Sequence, residues 1–203
     1  MELRNKIIAL ALPLFLKNGI RSMTMSDIAN ELGMSKRTLY EAFRDKDELL
    51  EACLTLHNEQ MDLEIEDMKI HSDNIIDLFI HIYGQYLHRM NDINPYMIRD
   101  LKKYYPAIYE KIHQRQEASY NIFIPLLNQG VQEGLIRKEL HFEILLFLIK
   151  AQFNSLIGEK LPNTQYSPHE FIRTILLHFM RGIATPAGNE MIDKFIEKTE
   201  NSN

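Results

Sequence analysis

The sequence predicts an all-α fold: a small three-helix head over residues 1–48, followed by a larger helical domain over residues 49–203. Three observations carry this. Apolar residues recur at helical spacing through successive segments bounded by caps, glycines and prolines. No run shows the apolar/polar alternation of a half-buried strand. Two segments near the C-terminus are apolar on almost every face, as helices covered from two sides are.

Taken in order, Leu3, Ile7, Ala11, Leu14 and Phe15 mark one face of a first helix over about residues 2–18, stopped at Asn18-Gly19. Pro13 removes an N–H from its interior and predicts a kink. Thr24 caps a second helix running to Leu32, with Asp27 three residues on, where its carboxylate can accept from free N–H groups. Gly33 permits the left-handed backbone that ends a helix. Ser35 caps a third helix from Lys36 to about Phe43. Ile28, Ala29 and Leu32 face one way on the second helix, and Leu39 and Phe43 do so on the third, with Met34 filling the corner. This is the pattern of a helix-turn-helix, whose second helix enters the major groove of DNA by its N-terminus.

Asp45 and Glu48 form a capping-box start for a long fourth helix, from Lys46 to about Lys69. Ser72-Asp73-Asn74 opens a fifth helix ending near Met90. Asn94-Pro95 starts a short sixth helix ending near Tyr105. Pro106 opens a long seventh helix, kinked at Pro125 and ending near Gly134. The eighth covers about His141–Glu159, and residues 160–167 form a loop. The ninth runs from Ser167-Pro168 to about Ile183. Thr185-Pro186 caps a last helix ending near Lys198.

The first quarter of the chain is similar to the DNA-binding domain of the TetR family of transcriptional regulators. The residues that carry the resemblance are Gly19, Thr24, Ile28, Ala29, Gly33, Ser35, Thr38, Leu39, Tyr40 and Phe43, then Lys46, Glu48 and Leu49. The resemblance implies a ligand-responsive regulator, by default a repressor, that binds a palindromic double-stranded DNA operator as a homodimer. Its DNA-facing set is Thr24, Ser35, Lys36, Arg37, Thr38, Tyr40 and Lys46. Lys36, Arg37 and Thr38 begin the recognition helix, where base edges and flanking phosphates would lie. Tyr40 follows one turn on, and Thr24 and Lys46 stand at helix N-termini that favour phosphate.

In such a protein the larger domain binds an effector and pairs with its copy through its last long helices. The eighth and ninth helices here carry the excess of apolar residues that such pairing needs, with Phe153, Phe171, Ile175, Leu176 and Phe179 as interface candidates. The effector region is expected among Tyr83, Tyr86, Met90, Met97, Tyr105, Phe123 and Phe147, a composition suited to an apolar or aromatic small molecule. Rings and methionines at helical spacing also serve as plain core. A second reading keeps the same fold as a helical adaptor that recruits protein in place of DNA; an adaptor need not hold Lys36, Arg37, Thr38 and Tyr40 together.

Net charge is −5 and is unevenly spread. Residues 1–49 hold eight Lys/Arg against seven Asp/Glu, a balance of +1, which leaves −6 on residues 50–203. So weak a field makes affinity depend on local placement of cations and on two heads acting together. The lone Cys53 sits in an apolar helical run and reads as inert packing in a reducing cytoplasm. No signal peptide, membrane span, phosphate loop or nucleophile elbow is visible. Glu110-x-x-His113 has di-iron spacing but lacks a second copy. His81 with Asp77 or His88 lacks the further ligands of a metal site. The reading is therefore of a protein that is not an enzyme, with no cofactor, no metal and no membrane partner.

Overall fold

The computed structural model describes residues 2–90, 94, 97–120, 123–158 and 166–200. Side chains of residues 86–90, 98, 116–120, 153–158, 168–169, 172 and 198–200 fall outside that description. The described residues form α1 (Glu2–Asn18), α2 (Met25–Glu31), α3 (Lys36–Ala42), α4 (Lys46–Ile70), α5 (Ile75–Met90), α6 (Met97–Tyr104), α7 (Pro106–Tyr120), α8 (Phe123–Gln132), α9 (Phe142–Gly158), α10 (Pro168–Ile183) and α11 (Pro186–Glu200). Among them there is no strand, only an isolated antiparallel bridge between Ile136 and Ala184.

The chain divides into two compact units: Met1–Leu63 with Asp92–Glu117, and Glu64–Asn91 with Ala118–Asn203. In the first unit the core is built from Ile7, Ala11 and Phe15 of α1, Ile28 and Ala29 of α2, Leu39 and Phe43 around α3, and Leu49, Leu50 and Cys53 of α4. Met97 and Leu101 of α6 and Ile108 of α7 complete it. This packing joins α6 and most of α7 to the head, a long-range association that helical periodicity cannot reveal. Burial pushes the Cys53 thiol up to about 12, so it stays protonated.

The second unit gathers α5, α8, α9, α10 and α11 around Ile76, Leu78, Leu127, Met180, Ile183 and Ile192. Phe79 of α5 stacks with Phe123 of α8 (centroids 6.2 Å apart) and meets Phe179 of α10 edge-on (6.3 Å). Gly188 of α11 lets backbone approach closely: a Cβ there would lie 2.6 Å from the Leu135 carbonyl oxygen.

Helix lies on both sides of the expected kink, as α7 and α8, and the junction at residues 121–122 falls outside the described residues. One local expectation is corrected. The Asp45–Glu48 box is only half formed. Asp45 Oδ1 accepts from the Glu48 N–H (2.9 Å), but the Glu48 carboxylate accepts from the Arg44 N–H (2.8 Å). Elsewhere a reciprocal box closes that the sequence reading did not include: Ser167 accepts from the Glu170 N–H, and Glu170 accepts from the Ser167 N–H. α1 continues through Pro13 as one helix. The expected loop over 160–167 lies largely outside the described residues.

Candidate nucleic-acid interface

The α2–turn–α3 segment is fixed by hydrogen bonds at each boundary, reciprocal at the start of α2. The Asp27 N–H donates to Thr24 Oγ1 (3.2 Å), while the Thr24 N–H and hydroxyl donate to Asp27 Oδ2 at 2.9 and 2.6 Å. At the other end of α2, the Gly33 N–H donates to the Asn30 carbonyl (3.0 Å) and the Met34 N–H to the Ala29 carbonyl (2.9 Å). That pair of bonds is a Schellman motif, and it needs the left-handed Gly33 at φ +64°. Nothing lies within 4 Å of where a Cβ would sit on Gly33. The backbone alone therefore selects glycine. Gly33→Ala should cost the head about 1–2 kcal/mol, read as a lower denaturation midpoint with an unchanged slope.

α3 then starts at Ser35, whose Oγ accepts from the Thr38 N–H (3.0 Å). Leu39 is fully buried and pins the inner face of the helix. Lys36, Arg37 and Tyr40 point outward, Tyr40 with 45% exposure. Arg37 Nε donates to Glu41 at 2.8 Å, with both side chains well exposed. Such an exposed i,i+4 pair contributes well under 1 kcal/mol, so a phosphate can displace Glu41 at little cost. Lys36 Nζ lies 5.9 Å from the Tyr40 ring centroid. The end of α3 is clamped by Arg4, which donates to the Ala42 carbonyl and to Glu48 (2.7 Å) and covers the Phe43 ring at 4.0 Å. Sequence reasoning counted Arg4 only as a charge; a cation one helix away from its partners gives no local signal.

Of the seven DNA-facing candidates, Lys36, Arg37, Thr38 and Tyr40 share the exposed start of α3 with Ser35, their cap. Thr24 stands at the start of α2 with its hydroxyl committed to Asp27. Lys46 is turned inward, with its ammonium donating to the Ile20 and Met23 carbonyls at 2.8 and 2.9 Å. Lys46 thus ties the α1–α2 turn to the start of α4.

Hydrogen bonds hold three carboxylates of the head below their usual range. For Asp27 the principal donor is the Thr24 hydroxyl, for Asp45 the Glu48 N–H, and for Glu48 the Arg44 N–H. A carboxylate lowered on folding stabilises the fold above its unfolded value, here 3.8 for Asp and 4.5 for Glu, and stops doing so as pH falls through the folded value. Melting temperature should therefore hold down to those values and drop below them. Thr24→Val removes the hydroxyl donor and keeps the backbone one, so it should shrink the Asp27 share of that drop.

The candidate effector residues divide between the two units. Met97 is buried in the first unit, and Tyr105 packs there as well. Tyr83 and Phe123 belong to the second unit, where burial raises the Tyr83 phenol above its usual range. Phe147 is 67% exposed on α9. The side chains of Tyr86 and Met90 lie outside the described residues. An open groove of about 610 Å³ in the second unit is lined instead by residues such as Met68, His71, Ile80, His81 and Phe195. Of the interface candidates, Phe171, Ile175 and Leu176 are half-buried, Phe179 packs on Phe79, and the Phe153 side chain lies outside the described residues. The possible metal ligands are otherwise engaged. Glu110 accepts from Gln114 (2.8 Å), His113 lies against the Tyr109 ring, and His81 Nδ1 bonds Ser72 Oγ (2.9 Å). His88 is outside the described side chains, and no group of three metal-ligating side chains occurs among the described residues.

A capped helix-turn-helix with exposed cations at the start of its second helix, followed by a larger all-helical unit, defines a DNA-binding regulator. Residues 7–53 match the family profile described as bacterial regulatory proteins, tetR family. The uncharacterized HTH-type transcriptional regulator YvaF of Bacillus subtilis is 26% identical over 164 residues, 80% of this chain and 86% of that one. The structure of the ketosteroid transcriptional regulator KstR2 of Mycobacterium tuberculosis superposes with a TM-score of 0.58 at 21% identity, covering 90% of this chain and 95% of that one. The transcriptional regulator FadR of Bacillus subtilis, solved in complex with stearoyl-CoA, gives 0.63 at 18% identity, covering 90% and 100%. The head thus matches the helix-turn-helix domain of the TetR family, and the chain as a whole is similar to TetR-family transcription regulators. Proteins of this family are generally not enzymes. No helix among the described residues is long and apolar enough to cross a membrane.

Proposed function

We propose that the protein is a cytoplasmic repressor that binds a palindromic operator as a homodimer and is released by a small apolar or aromatic effector. Residues 1–48 serve as the DNA-binding domain, and residues 49–203 supply effector binding and dimerisation. The observation that carries the DNA reading is the start of α3: Lys36 and Arg37 are exposed on a helix whose inner face is locked by Leu39 and whose two ends are capped. Lys36, Arg37, Thr38 and Tyr40 meet the duplex, while Thr24 and Ser35 present the N-termini of α2 and α3 to phosphates.

Dimerisation is supported by α9. Ile144, Phe147 and Leu148 follow i, i+3, i+4 spacing and are 56%, 67% and 48% exposed, outside the core of their own unit. An apolar stripe of this kind calls for a partner, and a second copy supplies it with two-fold symmetry. Phe171, Ile175 and Leu176 of α10 extend the same interface. The effector reading is supported by the aromatic packing of α5 with α8 and α10, and by the stearoyl-CoA in complex with which the FadR neighbour was solved. A molecule that binds better to a second spacing of the heads shifts the population away from DNA.

The test is selection of genomic fragments on the immobilised protein, followed by footprinting. Protected inverted repeats are expected, with half-site centres one helical turn, roughly 34–36 Å, or somewhat more apart. Recovery of fragments without any shared repeat would count against an operator.

A further inference from the structure

Several cations of the first unit are paired with acids and others are not. Arg4, Arg37, Arg44, Lys111 and Arg115 each lie against a carboxylate: Glu48, Glu41, Asp45, Glu51, and Glu59 with Asp62. Arg21 and Lys103 do not; among the described residues neither has an acidic partner. Both sit instead on one aromatic ring. The Arg21 guanidinium carbon is 4.3 Å from the Tyr104 centroid and Lys103 Nζ is 5.2 Å from it. Arg21 Nη1 also donates to the Tyr104 hydroxyl at 3.1 Å. That hydroxyl is an acceptor in this bond, so its own proton is left to donate outward. All three side chains are exposed, Tyr104 at 42%.

This cluster adjoins the helix-turn-helix. Arg21 lies in the α1–α2 turn, three residues before the Thr24 cap. Lys46 grips the Ile20 and Met23 carbonyls on either side of it. Lys46 also stands 5.8 Å from the ring of Tyr105, the neighbour of Tyr104. The Asn94 N–H donates to the Leu16 carbonyl at 2.7 Å, so the start of the α6 segment is fastened to the end of α1. Two uncompensated cations and a spare hydroxyl donor are thus held on one corner, continuous with the proposed DNA face.

We propose that Arg21, Lys103 and the Tyr104 hydroxyl form a second phosphate-binding patch, contributed by α6 and the α1–α2 turn, that holds the duplex backbone beside the groove read by α3. The proposal rests on the reading of the head as a DNA binder. Its occupant is duplex backbone: two cations and a hydroxyl donor suit phosphate oxygens and carry no base readout. The patch adds to a head in which Arg37 and Arg44 each face an acid, Glu41 and Asp45.

Affinity of the full-length protein for the best duplex selected from a randomised pool, measured across a salt series, tests this. Lys103→Gln leaves the Arg21–Tyr104 bond intact and should flatten the plot of log Kobs against log salt by about 0.9 per head. Tyr104→Phe should weaken binding several-fold with the slope unchanged, since it removes a donor and no charge. Lys111→Gln, whose cation faces Glu51, should leave both affinity and slope as in the wild type. A Lys103→Gln slope equal to that of the wild type, in a protein of unchanged melting temperature, overturns the patch and leaves the helix-turn-helix reading standing. A wild-type protein that binds no duplex overturns both.

Discussion

Glutamate at both Phe147 and Leu148 should turn the protein into a folded monomer. These side chains are 67% and 48% exposed within one chain and lie outside the core of their unit, so the double substitution leaves intrachain packing in place. Burying a Phe or Leu side chain fully is worth about 1.5–3 kcal/mol, and a two-fold interface uses each residue twice. Four carboxylates buried in the interface add a desolvation cost. Sedimentation should give half the wild-type mass, with helical content by circular dichroism retained. Duplex affinity should fall about 10²–10⁴-fold, because the second head no longer binds as an intramolecular event. Phe171→Glu or Leu176→Glu should act in the same direction with a smaller effect, since both positions are already half-buried in the single chain. A variant that remains dimeric would place the interface on another face.

Arg37→Ala combined with Tyr40→Phe should lower operator affinity at least 10-fold while moving the melting temperature little. A charge-assisted contact to phosphate or base contributes about 1.5–3 kcal/mol and a hydroxyl contact about 1 kcal/mol. The folded state loses little by the change: the Arg37–Glu41 pair is almost wholly solvated, and Tyr40 keeps its ring. Leu39→Ala is the contrasting case. Leu39 is fully buried, so it should cost about 2–5 kcal/mol of stability and abolish binding by unfolding the head. Gel shift and thermal melting on the same preparations separate the two behaviours. Unchanged affinity in the Arg37/Tyr40 variant would detach α3 from DNA recognition.

Local signals in this chain were legible in proportion to how short their range is. The capping residues Thr24, Ser35 and Asn74 and the left-handed Gly33 are decided within a few residues, and each stands where the sequence puts it. The limits of α2 and α3 followed for the same reason. Long-range features were not readable. Arg4 reaches Glu48 across 44 residues and Arg21 reaches Tyr104 across 83. The packing of Met97 and Leu101 into the head core likewise depends on α6 returning to α1. The effector candidates divide between the two units, and composition does not locate a pocket because an aromatic side chain fits a core, a pocket and an interface equally well. Phe147 was placed in a pocket on its chemistry, while its exposure on α9 suits contact with a second copy.

The mass of the protein–DNA complex on a selected duplex is the most direct test. Sedimentation equilibrium should find two chains on each duplex, with loss of either half-site reducing affinity to the level of unrelated sequence. One chain per duplex with full affinity, or no complex at low salt, would contradict the account.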